Sequence, residues 1–153
     1  MKQIAGIDSS NFNVLIVDDI PLNLMLLDMM LKPFKFKIVK AFGGRDALKN
    51  IQDKLNTPDQ IDLVVLDLMM PGIDGYQVIE SVRNGCDNDE FHIPALSGTD
   101  LPIVVLSAMN LTDDVTRALN LGANQFLTKP LVQDQLFNTI THELELKVGA
   151  GNQ

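Results

Sequence analysis

The sequence predicts a single α/β domain, in which a five-stranded parallel sheet carries helices on both faces. Short apolar segments alternate with longer segments of helical periodicity in the order βαβαβαβαβα, which is typical of a parallel sheet with crossover helices. The segments at 14–17, 63–66 and 103–106 are continuous apolar runs, as expected of strands buried on both faces. The chain has 153 residues, 46% of them hydrophobic, which is enough for one ordinary core.

Turn residues mark the boundaries of these elements. Proline is tolerated in the first turn of a helix, so Pro21 opens the first helix, which ends before Pro33. Gly43 and Gly44 turn the chain into the second helix, and Gly122 is placed just after the end of the fourth. The predicted strands are Val14–Val17, Phe36–Ala41, Ile61–Leu66, Ile103–Leu106 and Asn124–Thr128, and the predicted helices are 21–31, 45–55, 75–84, 113–121 and 131–148.

The remaining segments have weaker patterns. Phe36–Ala41 alternates apolar and polar residues, which predicts an outer, half-exposed strand. Residues 85–101 are rich in acidic and turn residues and are interpreted as an extended connecting loop. We interpret residues 1–10 as a flexible leader, 11–148 as the domain and 149–153 as a tail.

Composition limits the classes of partner and the location. The net charge of −8 disfavours direct binding to nucleic acid or to anionic membranes. The amino terminus has no apolar targeting segment, and no apolar run is long enough to span a bilayer. A single cysteine, Cys86, cannot form an internal disulfide and fits a reducing compartment. These features predict a cytoplasmic protein.

Four of the five predicted strands end on polar residues. Because the carboxyl ends of parallel strands share one edge, Asp18, Asp19, Asp67, Ser107 and Lys129 should converge in one crevice. Three clustered carboxylates repel one another and require a cation. Oxygen ligands without histidine or cysteine favour Mg²⁺ over zinc.

Ser107 and Lys129 extend this prediction from a metal to a phosphoryl group. A hydroxyl and an ammonium group supply the hydrogen bonds and charge neutralisation that phosphoryl oxygens need. Asp67, the single carboxylate of the central strand, is then the natural nucleophile and would form an acyl phosphate. Each residue alone has an ordinary structural alternative: a turn cap for Asp67, a backbone hydrogen bond for Ser107 and a salt bridge for Lys129.

The chain resembles the receiver domains of two-component response regulators, over about residues 13–148. The matching motifs are VLIVDD at 14–19, VVLDLMMPGIDG at 64–75, IVVLSA at 103–108 and FLTKP at 126–130. The resemblance implies a flavodoxin-like (βα)5 fold and a Mg²⁺-dependent phosphoacceptor that takes its phosphoryl group from a phosphohistidine donor. It also implies a cis peptide bond between Lys129 and Pro130.

The resemblance also assigns roles to individual residues. It makes Asp67 the phosphoacceptor, and Asp18, Asp19, Asp67 and the backbone carbonyl of Met69 the metal ligands. Ser107 becomes the switch hydroxyl and Lys129 the lysine that contacts the phosphoryl group. Phe126 corresponds to the aromatic residue that swings inward on activation.

The first helix is apolar on nearly all sides, which a single contact with the sheet does not explain. We expect Leu27, Met30 and Leu31 to face the sheet, leaving an apolar surface that is typical of a partner site. The alternative is that residues 85–101 or the leader cover it. The pattern is similar to receivers of hybrid kinases and phosphorelays, which implies docking of a histidine kinase or histidine phosphotransfer protein. The predicted docking residues are Leu22, Asn23, Met25, Leu26 and Pro130.

Two other functions are compatible with parts of the pattern. A haloacid-dehalogenase-like phosphatase also uses an aspartyl nucleophile and Mg²⁺, but it needs a second acid two residues later, where this chain has Met69. An unphosphorylated scaffold receiver would not need the complete set of five polar residues. The prediction is therefore a signalling switch, limited to self-phosphorylation and slow hydrolysis and not an enzyme in the usual sense, which passes its phosphoryl group along a relay or binds a downstream protein.

Overall fold

Five parallel strands form the central sheet in the computed structural model, which describes residues 8–108 and 112–151. The strands are β1 (Asn13–Val17), β2 (Lys37–Ala41), β3 (Leu63–Asp67), β6 (Ile103–Ser107) and β7 (Gln125–Thr128), with the two-residue strands β4 (Cys86–Asp87) and β5 (His92–Ile93) outside the sheet. The helices are α1 (Pro21–Leu31), α2 (Gly44–Lys54), α3 (Gly75–Asn84), α4 (Thr112–Leu121) and α5 (Gln133–Gly151), and Ser9–Asn11 and Lys32–Phe34 form 3₁₀ turns. The predicted fold class is confirmed.

The sheet separates two hydrophobic layers. Because successive strand residues point to opposite faces, Val14 and Ile16 pack with α1 and α5, whereas Leu15 and Val17 pack with α2, α3 and α4. The side chains of β1, β3 and β6 that enter the two layers are buried and almost all aliphatic, which is why these strands read as continuous apolar runs. Burial on both faces fixes the register of the strands and therefore the positions of the residues that follow them.

The strand order β2-β1-β3-β6-β7 places a topological switch point between β1 and β3, because the chain leaves β1 toward β2 and returns on its other side. Ligands of open α/β sheets bind outside the carboxyl ends of the strands at such a point. Val17 pairs with Leu66 and Asp67 pairs with Leu106, so the ends of β1, β3 and β6 are level with one another. β2 lies at the edge and is half exposed, as predicted.

Several boundaries differ from the predicted ones. α5 begins at Gln133, two residues later than predicted, and continues to Gly151. Residues 149–151, part of the predicted tail, are therefore helical. Asp8 caps the 3₁₀ turn Ser9–Asn11 by accepting a hydrogen bond from the Ser10 amide at 3.0 Å. Residues 1–7 of the predicted leader and residues 152–153 of the predicted tail lie outside the described residues.

The prediction of an extended loop at 85–101 is wrong for its first half. β4 and β5 pair as a short antiparallel hairpin, and Phe91, Ile93 and Leu101 are buried in the layer formed by α2, α3 and α4. Burial of these three apolar side chains accounts for the ordered path of an otherwise polar segment. It also places this segment on the face of the sheet opposite α1.

Arg83, in the last turn of α3, anchors the second half of that segment. Its guanidinium group donates hydrogen bonds of 2.9–3.1 Å to three backbone carbonyls between residues 96 and 101. It also donates to the Gly122 carbonyl at 2.9 Å and to Asn124 Oδ1 at 2.8 Å. Burial lowers the pKa of Arg83, and Asp100 opposes that shift. We call these contacts the Arg83 hub; they join α3, the end of α4 and β7.

Candidate functional site

Three carboxylates meet at the switch point, as the sequence predicts. Asp18 and Asp19 follow β1, and Asp67 is the last residue of β3. One carboxylate oxygen from each lies within 4.8 Å of the other two. Asp18 is 1% exposed and Asp67 is 8% exposed, whereas Asp19 is half-buried. The cluster therefore lies at the base of the crevice with one side open to solvent.

Backbone hydrogen bonds hold the two buried carboxylates in place. Asp18 Oδ1 accepts from the Ile20 amide at 2.9 Å, and the Asp18 amide donates to the Ala41 carbonyl at 3.2 Å. Asp67 Oδ1 accepts from the Met69 amide at 3.2 Å. The second oxygens, Asp18 Oδ2 and Asp67 Oδ2, face Lys129. This arrangement orients the carboxylates toward a shared centre.

Lys129 reaches the cluster from the end of β7. Its Nζ atom lies 3.7 Å from Asp18 Oδ2 and 4.0 Å from Asp67 Oδ2. The Lys129 amide donates to the Ser107 carbonyl at 2.9 Å, and the peptide bond between Lys129 and Pro130 is cis, as predicted. The lysine therefore contacts the carboxylates of two different strands with a single ammonium group.

Ser107 lies at the same edge. It is the last residue of β6, pairs with Thr128 of β7 and is 2% exposed. Its predecessor, Leu106, pairs with Asp67, so Ser107 is one residue beyond the level of the aspartate. The predicted convergence of all five polar residues at one edge is thus present in the structure.

The charges of the cluster are unbalanced. Burial raises the pKa of Asp67, and Asp18 and Asp19 raise it further, while Lys129 and the Met69 amide lower it. Three carboxylates face one ammonium group among the described residues, which leaves a local charge of −2 when all are ionised. A divalent cation neutralises this charge, and the all-oxygen donor set suits Mg²⁺.

Gly75 fixes the loop that follows Asp67. A Cβ atom at this position would lie 2.6 Å from Leu68 Cα and 2.7 Å from the Asp67 carbonyl oxygen, so only glycine fits. The Gly75 amide donates to the Leu68 carbonyl at 3.0 Å. Asp74 and Gln77 form a capping box at the start of α3. Met69, within this loop, has a side chain that is 60% exposed.

The predicted switch residue, Phe126, lies on β7. It is half-buried and packs against the hydrophobic layer formed by α2, α3 and α4. This position is compatible with the predicted role of a residue that swings inward on activation, and equally with an aromatic residue that only packs in the core.

The outer surface of α1 is apolar and uncovered by the described residues. Leu22, Met25 and Leu26 are each about half exposed, and so are Ile20 and Met29. The buried residues of α1 are Leu24, Leu27 and Leu31, with Met30 half-buried; the predicted inward stripe omitted Leu24. Because residues 85–101 pack on the opposite face, they do not cover α1.

A cavity of about 240 Å³ joins this surface to the carboxylates. Its lining includes Asn23 and Leu26 from α1, Pro130 from the loop after β7, and Asp18 and Lys129 from the site. Three of the five predicted docking residues, Asn23, Leu26 and Pro130, thus line a cavity next to Asp18, whereas Leu22 and Met25 lie on the exposed surface of α1 outside it. The sequence analysis missed Leu106 and Leu131, which also line the cavity, because a core leucine carries no local signal of such a role.

The fold and the site define a class of α/β signalling domains whose reactive aspartate lies at the carboxyl edge of a parallel sheet. Residues 14–141 match the response regulator receiver domain, and the chain belongs to that family. This membership, together with the motifs at the strand ends, identifies a phosphoacceptor signalling module of two-component systems. Nothing in the fold or in the family match favours a haloacid-dehalogenase-like phosphatase.

The curated relatives include hybrid kinases and response regulators. The chain is 36% identical over 127 residues to the sensor histidine kinase GacS of Pseudomonas protegens, which covers 83% of this chain and 12% of GacS. It is 33% identical over 117 residues to the response regulator GtcR of Aneurinibacillus migulanus, which covers 76% of this chain and 41% of GtcR. The chain thus spans less than half the length of either relative.

A solved structure has the same fold as this chain. The CheX–CheY–BeF3–Mg²⁺ complex from Borrelia burgdorferi has a chain with a TM-score of 0.70 and 26% identity to this one, covering 86% of this chain and 87% of that chain. In the part of the chain that the structure describes, no helix has the length and apolar character needed to cross a membrane.

Proposed function

We propose that Asp67 accepts a phosphoryl group from a phosphohistidine donor. The phosphorylated domain then binds a partner differently or passes the phosphoryl group to the next protein of a relay. The observation that carries the proposal is the position of Lys129 Nζ, 4.0 Å from Asp67 Oδ2 and 3.7 Å from Asp18 Oδ2, inside a cluster of three acids. An ammonium group at this point neutralises one phosphoryl oxygen as it arrives.

The reaction uses groups that belong to the chain. A carboxylate oxygen of Asp67 forms the new bond to phosphorus, the bond between phosphorus and the donor imidazole nitrogen breaks, and the imidazole takes up a proton. Lys129 supplies charge neutralisation, and Ser107, at the end of the neighbouring strand, supplies a hydroxyl donor to a second phosphoryl oxygen. Asp67 must be ionised to react, and the raised pKa keeps its carboxylate basic and nucleophilic.

The residues of the acid cluster fit Mg²⁺. Asp18, Asp19 and Asp67 would hold the ion together with the backbone carbonyl of Met69, and water would complete its shell. When bound, the ion supplies positive charge to the phosphoryl oxygens and offsets the repulsion among the carboxylates. Receiver domains generally bind Mg²⁺, and the arrangement of oxygens around a single centre supports the same ligand here.

Signal output would follow from two residues that link the site to the surface. Ser107 would move toward the phosphoryl group to donate its hydrogen bond, and Phe126, half-buried on the adjacent strand β7, would move inward to fill the space behind it. A surface formed by α4, β7 and α5 would then differ between the two states. The output would be either the binding of a downstream protein to this surface or the transfer of the phosphoryl group to another protein.

The phosphodonor would dock on α1. Its residues Leu22, Met25 and Leu26 form an exposed apolar surface, and Leu26 shares a cavity with Asp18 and Pro130. A helical partner seated there would bring a histidine close to Asp67. The two histidines of this chain, His92 and His142, lie outside that region. The donor histidine would therefore lie outside these 153 residues, in a histidine kinase or histidine phosphotransfer domain.

The test of this function is incubation of the full chain with acetyl phosphate and Mg²⁺, followed by intact mass measurement and peptide mapping. We expect a mass increase of one phosphoryl group, located in the peptide that contains Asp67, and no such increase when EDTA is present from the start of the incubation. No adduct with Mg²⁺ present, or an adduct on another residue, would contradict the proposal and favour an unphosphorylated scaffold.

Replacement of Leu26 by serine should separate docking from chemistry. Leu26 is half exposed and lines the cavity next to Lys129. We expect transfer from a phosphorylated histidine phosphotransfer protein that labels the wild type to fall about tenfold, equivalent to about 1.4 kcal/mol of docking free energy. Labelling by acetyl phosphate should not change, because that small donor needs no docking surface.

Leu146→Ser is the matched control, since Leu146 is equally exposed on α5. It should reduce neither reaction. If the Leu26 and Leu146 variants accept phosphate from the protein donor at the wild-type rate, α1 does not form the docking surface.

A further inference from the structure

A hydrogen bond joins the first turns of α3 and α4, the helices that follow Asp67 and Ser107 along the chain. Tyr76, the second residue of α3, donates its phenolic hydroxyl to Asp114 Oδ1 at 3.2 Å. Tyr76 follows Asp67 by nine residues, and Asp114, in the first turn of α4, follows Ser107 by seven. The bond therefore lies between the helices that come next in the chain after β3 and β6.

Tyr76 is held rigidly on its own side of this contact. It is 6% exposed, and the preceding residue, Gly75, lies against the Asp67 carbonyl and is hydrogen-bonded to Leu68. The guanidinium carbon of Arg117 lies 3.9 Å from the centre of the Tyr76 ring, so α4 makes a second contact through a cation–π interaction. Burial raises the pKa of the Tyr76 phenol, and Asp114 raises it further, so the phenol stays protonated as the donor at neutral pH.

Asp114 is held weakly on the other side. Its Oδ2 atom is buried and has no hydrogen-bond partner among the described residues. The bond through Oδ1 is longer than the usual O–H···O distance of about 2.7–2.8 Å. A buried carboxylate oxygen without a partner destabilises the contact, and a small outward movement of the first turn of α4 would hydrate it.

We propose that the hydrogen bond between Tyr76 and Asp114 is a contact sensitive to phosphorylation, which holds the first turn of α4 against α3 until Asp67 is phosphorylated. This inference rests on the proposed function of Asp67. Phosphorylation draws Ser107 toward the phosphoryl group, and Asp114 is only seven residues further along the chain. Tyr76, in contrast, stays next to the backbone that carries Asp67. The bond breaks because Asp114 gains hydration for its second oxygen as it leaves.

The composition of the chain supplies a direct readout, because Tyr76 is its single tyrosine and it has no tryptophan. A carboxylate that accepts a hydrogen bond from a phenol quenches its fluorescence. We expect low tyrosine fluorescence in the wild type with Mg²⁺ alone, and higher fluorescence in Asp114→Ala. Asp113→Ala, which removes the neighbouring exposed carboxylate on the same turn, should stay at the wild-type level, and Tyr76→Phe gives the background.

Addition of beryllofluoride and Mg²⁺, which place a tetrahedral phosphoryl mimic on a carboxylate, should raise wild-type fluorescence at least half of the way to the Asp114→Ala value. If beryllofluoride binding favours breakage of the hydrogen bond between Tyr76 and Asp114, then breakage of that bond must favour beryllofluoride binding to the same extent. Removal of the hydrogen bond in Tyr76→Phe should therefore tighten binding of beryllofluoride, by roughly fivefold or more. Asp113→Ala should bind it with the wild-type affinity.

The outcomes distinguish this inference from the proposed function. If acetyl phosphate labels Asp67 but beryllofluoride leaves the fluorescence and the Tyr76→Phe affinity unchanged, the coupling is refuted while the phosphoacceptor function stands. Equal fluorescence of the wild type and Asp114→Ala would show that the hydrogen bond does not form. If Asp67 is not labelled at all, the function fails and the coupling fails with it.

Discussion

The Asp67→Asn variant will fold and bind Mg²⁺ weakly, but it will not take up a phosphoryl group from acetyl phosphate. Asparagine has nearly the same shape as aspartate, and its side-chain oxygen still accepts the 3.2 Å hydrogen bond from the Met69 amide. It lacks the anionic oxygen that attacks phosphorus, so the chemical step is lost and not merely slowed. Intact mass after incubation with acetyl phosphate and Mg²⁺ measures this directly.

Asp74→Asn is the matched control for this change. Asp74 lies in the same loop, and asparagine replaces aspartate well as the amino-terminal cap of a helix. This variant should be labelled to the wild-type extent. Thermal unfolding of both variants shows whether they are folded. A phosphoryl adduct on Asp67→Asn equal to that on the wild type would remove Asp67 from the role proposed for it.

Lys129→Met should reduce the rate of labelling by roughly one-hundredfold, the usual loss when a single preorganised charge is removed from a reacting centre. Methionine keeps most of the length and the apolar stem of lysine but has no positive charge. The phosphoryl oxygens would then face two buried carboxylates, Asp18 and Asp67, without the ammonium group now 3.7 Å and 4.0 Å from them. Time courses of acetyl phosphate labelling at fixed Mg²⁺ measure the loss.

The same variant should also become unusually dependent on metal for its stability. Removing one member of a buried charged cluster leaves the others uncompensated, so the melting temperature without metal should fall below that of the wild type, and Mg²⁺ should restore part of it. Lys40→Met is the control, because Lys40 pairs at 3.0 Å with Asp28 on the exposed side of α1. If Lys129→Met is labelled as fast as Lys40→Met, the lysine does not act on the phosphoryl group.

The sequence predicted the strand ends of the site because those positions carry a local signal. Asp67 follows a continuous apolar run and precedes a Pro-Gly turn, so its position at the end of a central strand is readable without any contact. Parallel topology then brings Asp18, Ser107 and Lys129 to the same edge. Apolar periodicity similarly placed four of the five helices within one or two residues of their observed bounds.

The features that the sequence did not reveal depend on contacts between distant residues. Strands β4 and β5 have two residues each, too few for any periodicity to appear. Tyr76 and Asp114 are 38 residues apart, and each looks locally like an ordinary helical residue. Arg83 has the pattern of a basic residue that ends a helix, yet its guanidinium group is bound to carbonyls from two distant segments of the chain, residues 96–101 and Gly122.

The Arg83 hub makes the two ends of α4 mechanically unequal. At the carboxyl end, the Gly122 carbonyl is bound to Arg83 at 2.9 Å, and Gly122 has a positive φ of 117° and no room for a side chain against that arginine. Among the described residues, the first turn of α4 is joined to α3 by one long hydrogen bond from Tyr76 to Asp114, and the Arg117 guanidinium, about one turn further on, lies over the Tyr76 ring. A displacement of α4 would therefore be a rotation about a fixed pivot near Gly122, with its largest amplitude beside the reactive crevice.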